Sequence, residues 1–173
     1  MKIGILCQHR SGHSAYEQHL SSVLGVPTEP EFDINDKDFL AYFKNLPDRC
    51  VFSVMPRPGV PELMYINKSV QWRVLLRRDV FKQCLSFVYT NKTQEFRKTQ
   101  TQKVNVDKRL VSVFFENYQI IQQVVSKGIF DIIYYEDLDL SNAYFKKSSS
   151  DYQSLIINIA EVKREIEKYI SCP

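Results

Sequence analysis

The chain has 173 residues, of which 44% are hydrophobic and 25% charged, with a net charge of +3. That is the profile of a soluble globular protein, read as a single domain over residues 1–173 and large enough to bury a core. The small positive excess suits an anionic ligand, but it is too weak for a nucleic-acid binder, and no aromatic-rich basic motif supports one. No apolar run approaches the length of a membrane span. Cys7, Cys50, Cys84 and Cys172 form no C-x-x-C pair, so they read as reduced thiols rather than a zinc site, and no metal is expected. The polar residues that follow Ile3–Cys7 argue against a signal peptide, so a cytoplasmic location is the default expectation.

In chain order, Ile3–Cys7 reads as a buried strand. Ser14–Leu24 carries Ala15, Tyr16, Leu20, Val23 and Leu24 at helical spacing and stops at Gly25. Pro27–Asp33 is an acidic loop, and Asp36–Leu46 is a helix with Phe39, Leu40 and Phe43 on one face. Cys50–Val54 is a second strand; Pro56, Pro58 and Pro61 predict an irregular segment after it. Trp72–Leu76 is a third strand, and Asp79–Asn91 a helix with Val80, Phe81, Cys84, Leu85 and Val88 inward. Thr90–Asp107 is polar and aperiodic, which predicts an exposed, mobile loop. Lys108–Lys127 is a long helix closed by Gly128, Phe130–Tyr134 a fourth strand, and Tyr152–Ile170 one final amphipathic helix. Strands alternating with helices give an α/β fold: a three-layer domain with a mainly parallel central sheet. Such sheets bind ligands at the carboxyl ends of their strands.

Two segments fall at such ends. After the first strand comes Gln8-His9-Arg10-Ser11-Gly12-His13-Ser14. A strand that turns tightly into a helix can present backbone N–H groups and the helix dipole to an anion, a P-loop-like strand–loop–helix phosphate site. Gly12 would let the backbone approach closely, Ser11 and Ser14 would add hydroxyl donors, and Arg10 a charged fork. The same residues equally describe a capped helix with a surface Arg and His. The loop is not a Walker A motif, because His13 stands where that motif needs a Lys. After the third strand come Arg77-Arg78-Asp79, with Ser86 eight residues beyond Arg78. Arg78 and Ser86 could reach one phosphate; alternatively Asp79 simply caps the helix and the arginines are solvated. Trp72 reads as core rather than as a base-stacking ring.

Together these motifs resemble the sulfotransferase family that uses 3′-phosphoadenosine 5′-phosphosulfate (PAPS). Arg10-Ser11-Gly12-His13-Ser14 is similar to that family's 5′-phosphosulfate loop, with His13 in place of a Thr or Ser. Arg78 and Ser86 match the spacing of its 3′-phosphate pair, and the Arg77-Arg78-Asp79 opening is similar to bacterial members that act on glycans. Tyr134-Tyr135-Glu136-Asp137-Leu138 resembles a further segment that follows a late strand in many members. No C-terminal R-K-G-type loop is found.

The resemblance implies PAPS as cofactor and adenosine 3′,5′-bisphosphate as product. It implies Arg10, Ser11, Gly12, His13, Ser14, Arg78 and Ser86 as cofactor contacts. It also implies Arg10 and His13 at the transferred group and a Glu base in the loop after the first helix: Glu31 first, Glu29 second. Glu17 and His19 are further options, with helix-surface roles set against them. The acceptor would be a glycan or another small molecule bearing a hydroxyl or amine, with neither nucleic acid nor a membrane span involved. Arg97, Lys98 and Lys103 would be auxiliary phosphate contacts if their loop closes over the ligand. A P-loop-like phosphotransferase and a non-catalytic anion-binding module are the rival readings.

Overall fold

The computed structural model describes residues 1–29, 39–94, 102–139 and 151–170. Two compact units make up the chain: Met1–Arg78 with Gln119–Lys146, and Asp79–Tyr118 with Lys147–Pro173.

The first unit is built on a four-stranded sheet in the order β2-β1-β3-β4, with every pairing parallel. The strands are β1 (Lys2–Cys7), β2 (Cys50–Val54), β3 (Val70–Leu76) and β4 (Asp131–Tyr134). Both central strands are covered on two faces, which is why β1 reads as a continuous apolar run rather than an alternating one. On one face, α1 (His13–Leu24) sets Ala15, Tyr16 and Leu20 against Ile3, Ile5, Cys7, Val51 and Leu75. The other face carries α2 (Phe39–Asn45), α3 (Val60–Ile66) and the end of α5 (Arg109–Val125). There Phe43, Leu63, Met64, Ile121 and Val124 pack on Phe52, Trp72, Val74 and Leu76. Each such side chain contributes about 1.5–3 kcal/mol by leaving water. This is the three-layer α/β arrangement with a parallel sheet that the alternation of strands and helices predicts.

Trp72 is core, as expected. It is 5% exposed, its ring meets Phe52 edge-on at 5.7 Å, and its Nε1–H donates to the Asn67 carbonyl at 3.3 Å. A Cβ on Gly4 would lie 2.4 Å from the Trp72 ring, so β1 accepts this large ring only because Gly4 has no side chain.

One expectation for this unit fails. The segment after β2 is not wholly irregular, because α3 begins at Val60 with Pro61 in its first turn and Glu62 beside it. A proline there loses no hydrogen bond, since the first-turn N–H groups have no helical partner, and an acid there suits the dipole.

The second unit is helical. It contains α4 (Val80–Thr93), the start of α5, α6 (Tyr152–Leu155) and α7 (Ile159–Ile170). Asp79 caps α4 by accepting the Lys82 N–H at 2.8 Å. The core joins Cys84, Leu85, Val88 and Tyr89 of α4 to Val111, Phe114 and Phe115 of α5 and Val162 and Ile166 of α7.

Two further expectations are corrected here. The single helix over Tyr152–Ile170 is broken at Ile156–Asn158. There Ile156 leaves the helix to bridge Val104, with the Val104 N–H donating to the Leu155 carbonyl at 2.9 Å and the Ile157 N–H to the Val104 carbonyl at 2.8 Å. The end of the Thr90–Asp107 segment is therefore not an exposed loop. Val104 and Val106 are buried, and the Asn158 side chain both donates to the Val106 carbonyl and accepts its N–H, each at 3.0 Å. The start of that segment is helical as well, since α4 continues to Thr93.

Candidate anion-binding site

The carboxyl ends of β1, β3 and β4 carry the residues that the sequence singles out in the first unit. After β1 the chain turns through Gln8–Gly12, with the Ser11 N–H donating to the Gln8 carbonyl at 3.1 Å. Arg10 and Gly12 flank Ser11 at φ 63° and 90°. A left-handed Arg is uncommon, and such strain persists where the surroundings hold it in place. Gly12 is the N-cap of α1. No side chain caps that helix, and its first turn holds no acid, so none of the chain's own carboxylates in that turn neutralises the positive end of the dipole. His13 and Ser14 open the helix, partly exposed, as is Arg10. Ser11 is fully buried, and its Oγ has no hydrogen-bond partner among the described residues. The expected donors thus divide, with Ser11 inside the turn and Arg10, His13 and Ser14 at its mouth.

Gly12 faces the ring of Tyr135. A Cβ there would lie 2.2 Å from the Tyr135 ring, so this ring closes directly on the turn. Above the same ring sits the Arg77 guanidinium, 4.6 Å from its centroid. The next pair repeats the pattern, with Arg78 4.2 Å over the Tyr134 ring. Two acids complete the cluster. Glu136 accepts the Arg78 N–H at 3.2 Å and lies 3.7 Å from Arg77 Nε, while Asp137 pairs with Arg78 Nη2 at 2.5 Å. The loop after β1, the arginines after β3 and the Tyr-Tyr-Glu-Asp run that begins at the last residue of β4 are therefore one interlocked cluster. The sequence marks all three segments, but it does not show that Glu136 and Asp137 engage the arginines. Their only signal is charge order: two cations closing one strand and two acids just past the next.

Other predicted residues are placed elsewhere. Ser86 belongs to the second unit, on α4 and 4% exposed, where its carbonyl accepts from Thr90 Oγ1 at 2.8 Å. Glu31, Arg97 and Lys98 lie outside the described residues, while Lys103 is exposed. Glu29 donates its N–H to the Val51 carbonyl at 2.8 Å, beside the Thr28–Val51 bridge. Val51 is level with Ile3, four residues before Cys7, so the Glu29 backbone sits roughly 13 Å along the strands from the start of the turn. That distance disfavours Glu29 as a base acting at the turn. Glu17 and His19 are partly buried on α1.

A groove of about 310 Å³ lies at the opposite end of the sheet, where β3 and β4 begin, lined by Tyr65, Lys68, Trp72 and Phe130 among others. It is not part of the cluster. Among the described residues no group of three or more His, Cys, Asp or Glu is placed to hold a metal ion, and no helix is long and apolar enough to cross a membrane.

No protein-family model matches the chain, and no curated protein matches it. Solved structures do. Mouse sulfotransferase SULT7A1, solved in complex with PAP, superposes with a TM-score of 0.53 at 11% identity, covering 97% of this chain and 63% of that one. Shikimate kinase from Aquifex aeolicus superposes with a TM-score of 0.41 at 14% identity over the full length of both. This chain thus spans less than two thirds of the sulfotransferase. The likeness concerns fold alone: the chain has the parallel α/β architecture of the P-loop-like sulfotransferases.

Proposed function

We propose that the chain is a sulfotransferase that moves a sulfuryl group from PAPS to the hydroxyl or amine of a carbohydrate or small metabolite. The carrying observation is the cluster at the ends of β1 and β3. An uncapped helix start behind a left-handed turn and a more than half exposed arginine lie on neighbouring strands, joined through Tyr135, Tyr134 and the two arginines. Two anion sites on adjacent strands suit a nucleotide with phosphate at both ends. The unpartnered, buried Ser11 hydroxyl and the acid-free first turn of α1 fit a phosphate at the first site. The fold likeness to a PAP-bound sulfotransferase supports the same reading.

Bound PAPS would supply an activated sulfuryl group. In this reading Arg10, the N–H groups of Gly12–Ser14 and the Ser14 hydroxyl hold the departing phosphate and offset its charge. His13 donates to a sulfuryl or bridging oxygen. Transfer would exchange the sulfuryl group's bond to that phosphate for one to the acceptor, and Glu31, assigned on sequence grounds, would take the acceptor's proton. Arg78 takes the 3′-phosphate. Ser86, its partner by spacing, enters the proposal from the sequence alone.

The test is incubation with PAPS and pooled hydroxyl or amine acceptors in the presence of EDTA, following release of adenosine 3′,5′-bisphosphate. Acceptor-dependent release is expected. Consumption of ATP that requires Mg²⁺, without such release, would replace the reading with a phosphotransferase.

A further inference from the structure

The two arginine clamps are built alike but differ in exposure. Arg77 lies over Tyr135 beside Glu136, and these two charged side chains are 19% and 29% exposed. Arg78 lies over Tyr134 beside Asp137, at 56% and 57%. The first clamp is held within the cluster. The second faces water, where an ion pair is screened and weak.

Tyr134 fixes the plane of the Arg78 guanidinium from one side. That leaves the in-plane N–H edges as the route by which an anion can bind, and Asp137 already occupies Nη2. A carboxylate and a phosphate compete for the same fork of donors. Glu136, by contrast, holds the Arg78 backbone N–H, a contact that an anion on the guanidinium leaves intact.

We infer that Asp137 is a built-in competitor for the anion on Arg78. It occupies the guanidinium until a phosphate displaces it, and it thereby lowers affinity for that phosphate. This inference rests on the assignment of Arg78 to a 3′-phosphate, and it adds an affinity-setting role for a residue which that assignment leaves unused.

The experiment is calorimetric titration of the full chain and of its Asp137→Asn and Asp137→Ser variants with adenosine 3′,5′-bisphosphate, with adenosine 5′-phosphate as control. Loss of an exposed pair of this kind gives a gain of about 1.4- to fivefold in affinity for the bisphosphate. The control ligand should be unchanged, and the gain should vanish when either substitution is made together with Arg78→Ala. A merely structural role for Asp137 would alter both ligands alike and would not depend on Arg78. Binding that requires the 3′-phosphate, with no gain in either variant or with a gain that persists without Arg78, overturns the inference and leaves the proposed function standing. Equal binding of the two nucleotides by the unaltered chain overturns both.

Discussion

Gly12→Ala isolates the joint between the turn and the cluster. Alanine at φ 90° is strained by about 1–2 kcal/mol. Its Cβ would also lie 2.2, 2.5 and 2.8 Å from three atoms of the Tyr135 ring. That ring is 5% exposed and packed between the turn and Arg77, so it has little room to swing away. Overpacking of this kind costs about 1–3 kcal/mol. The sum is a loss near 3 kcal/mol, which for a chain of this length lowers the melting temperature by roughly 6–12 °C. Thermal unfolding followed by circular dichroism measures it. Combining Gly12→Ala with Tyr135→Ala removes the clash but not the strain, so the double variant should be more stable than the summed single effects predict, by about 1–3 kcal/mol. A loss below about 1 kcal/mol for Gly12→Ala, or strict additivity, would refute the contact between turn and ring.

Three other outcomes are expected. Asn158→Ala leaves the Val106 N–H and carbonyl without their partners and should cost about 1–3 kcal/mol in a urea titration, and Asn158→Asp should also destabilise, because a carboxylate keeps the acceptor but sets a second oxygen against the Val106 carbonyl. Burial pushes the Cys84 thiol up to about 12, so a thiolate-directed reagent at neutral pH should leave Cys84 unlabelled in the native chain and label it in urea, as peptide mass mapping would show. Chelation should leave nucleotide affinity unchanged, because the proposed site has protein cations carry the phosphate charge; loss of binding in EDTA, read by calorimetry, would show that a metal is part of the site.

The first two strands were legible because they are buried on both faces. Ile3–Cys7 and Cys50–Val54 are short apolar runs bounded by polar residues, a signal that depends on nothing distant. The same holds for α5, whose inward residues recur at helical spacing, and for Asp79, whose capping contact is local. What the sequence concealed was set by partners far along the chain. Three prolines suggested irregular backbone, yet Pro61 sits in the first turn of a helix, where proline is tolerated. Ile156 fits a helical stripe as well as its neighbours do, and only its pairing with Val104 reveals the break. Val104 and Val106 are two apolar residues in a polar stretch, too few for a periodic signal, and they are buried by the segment they pair with. At the candidate site, the turn and the arginine pair were readable as strand-end motifs. The reason for Gly12 was not, because the ring that requires it is Tyr135, and neither were the acids that hold Arg77 and Arg78.

In the proposed function the turn after β1 and Arg78 after β3 bind the two ends of one nucleotide. Calorimetric titration of the unaltered chain with adenosine 3′,5′-bisphosphate, set against adenosine 5′-phosphate, tests it most directly. Micromolar binding is expected, falling by about tenfold or more when the 3′-phosphate is missing, the worth of a charge-assisted contact to Arg78. Equal affinity for the two nucleotides, or no binding of either, would contradict it.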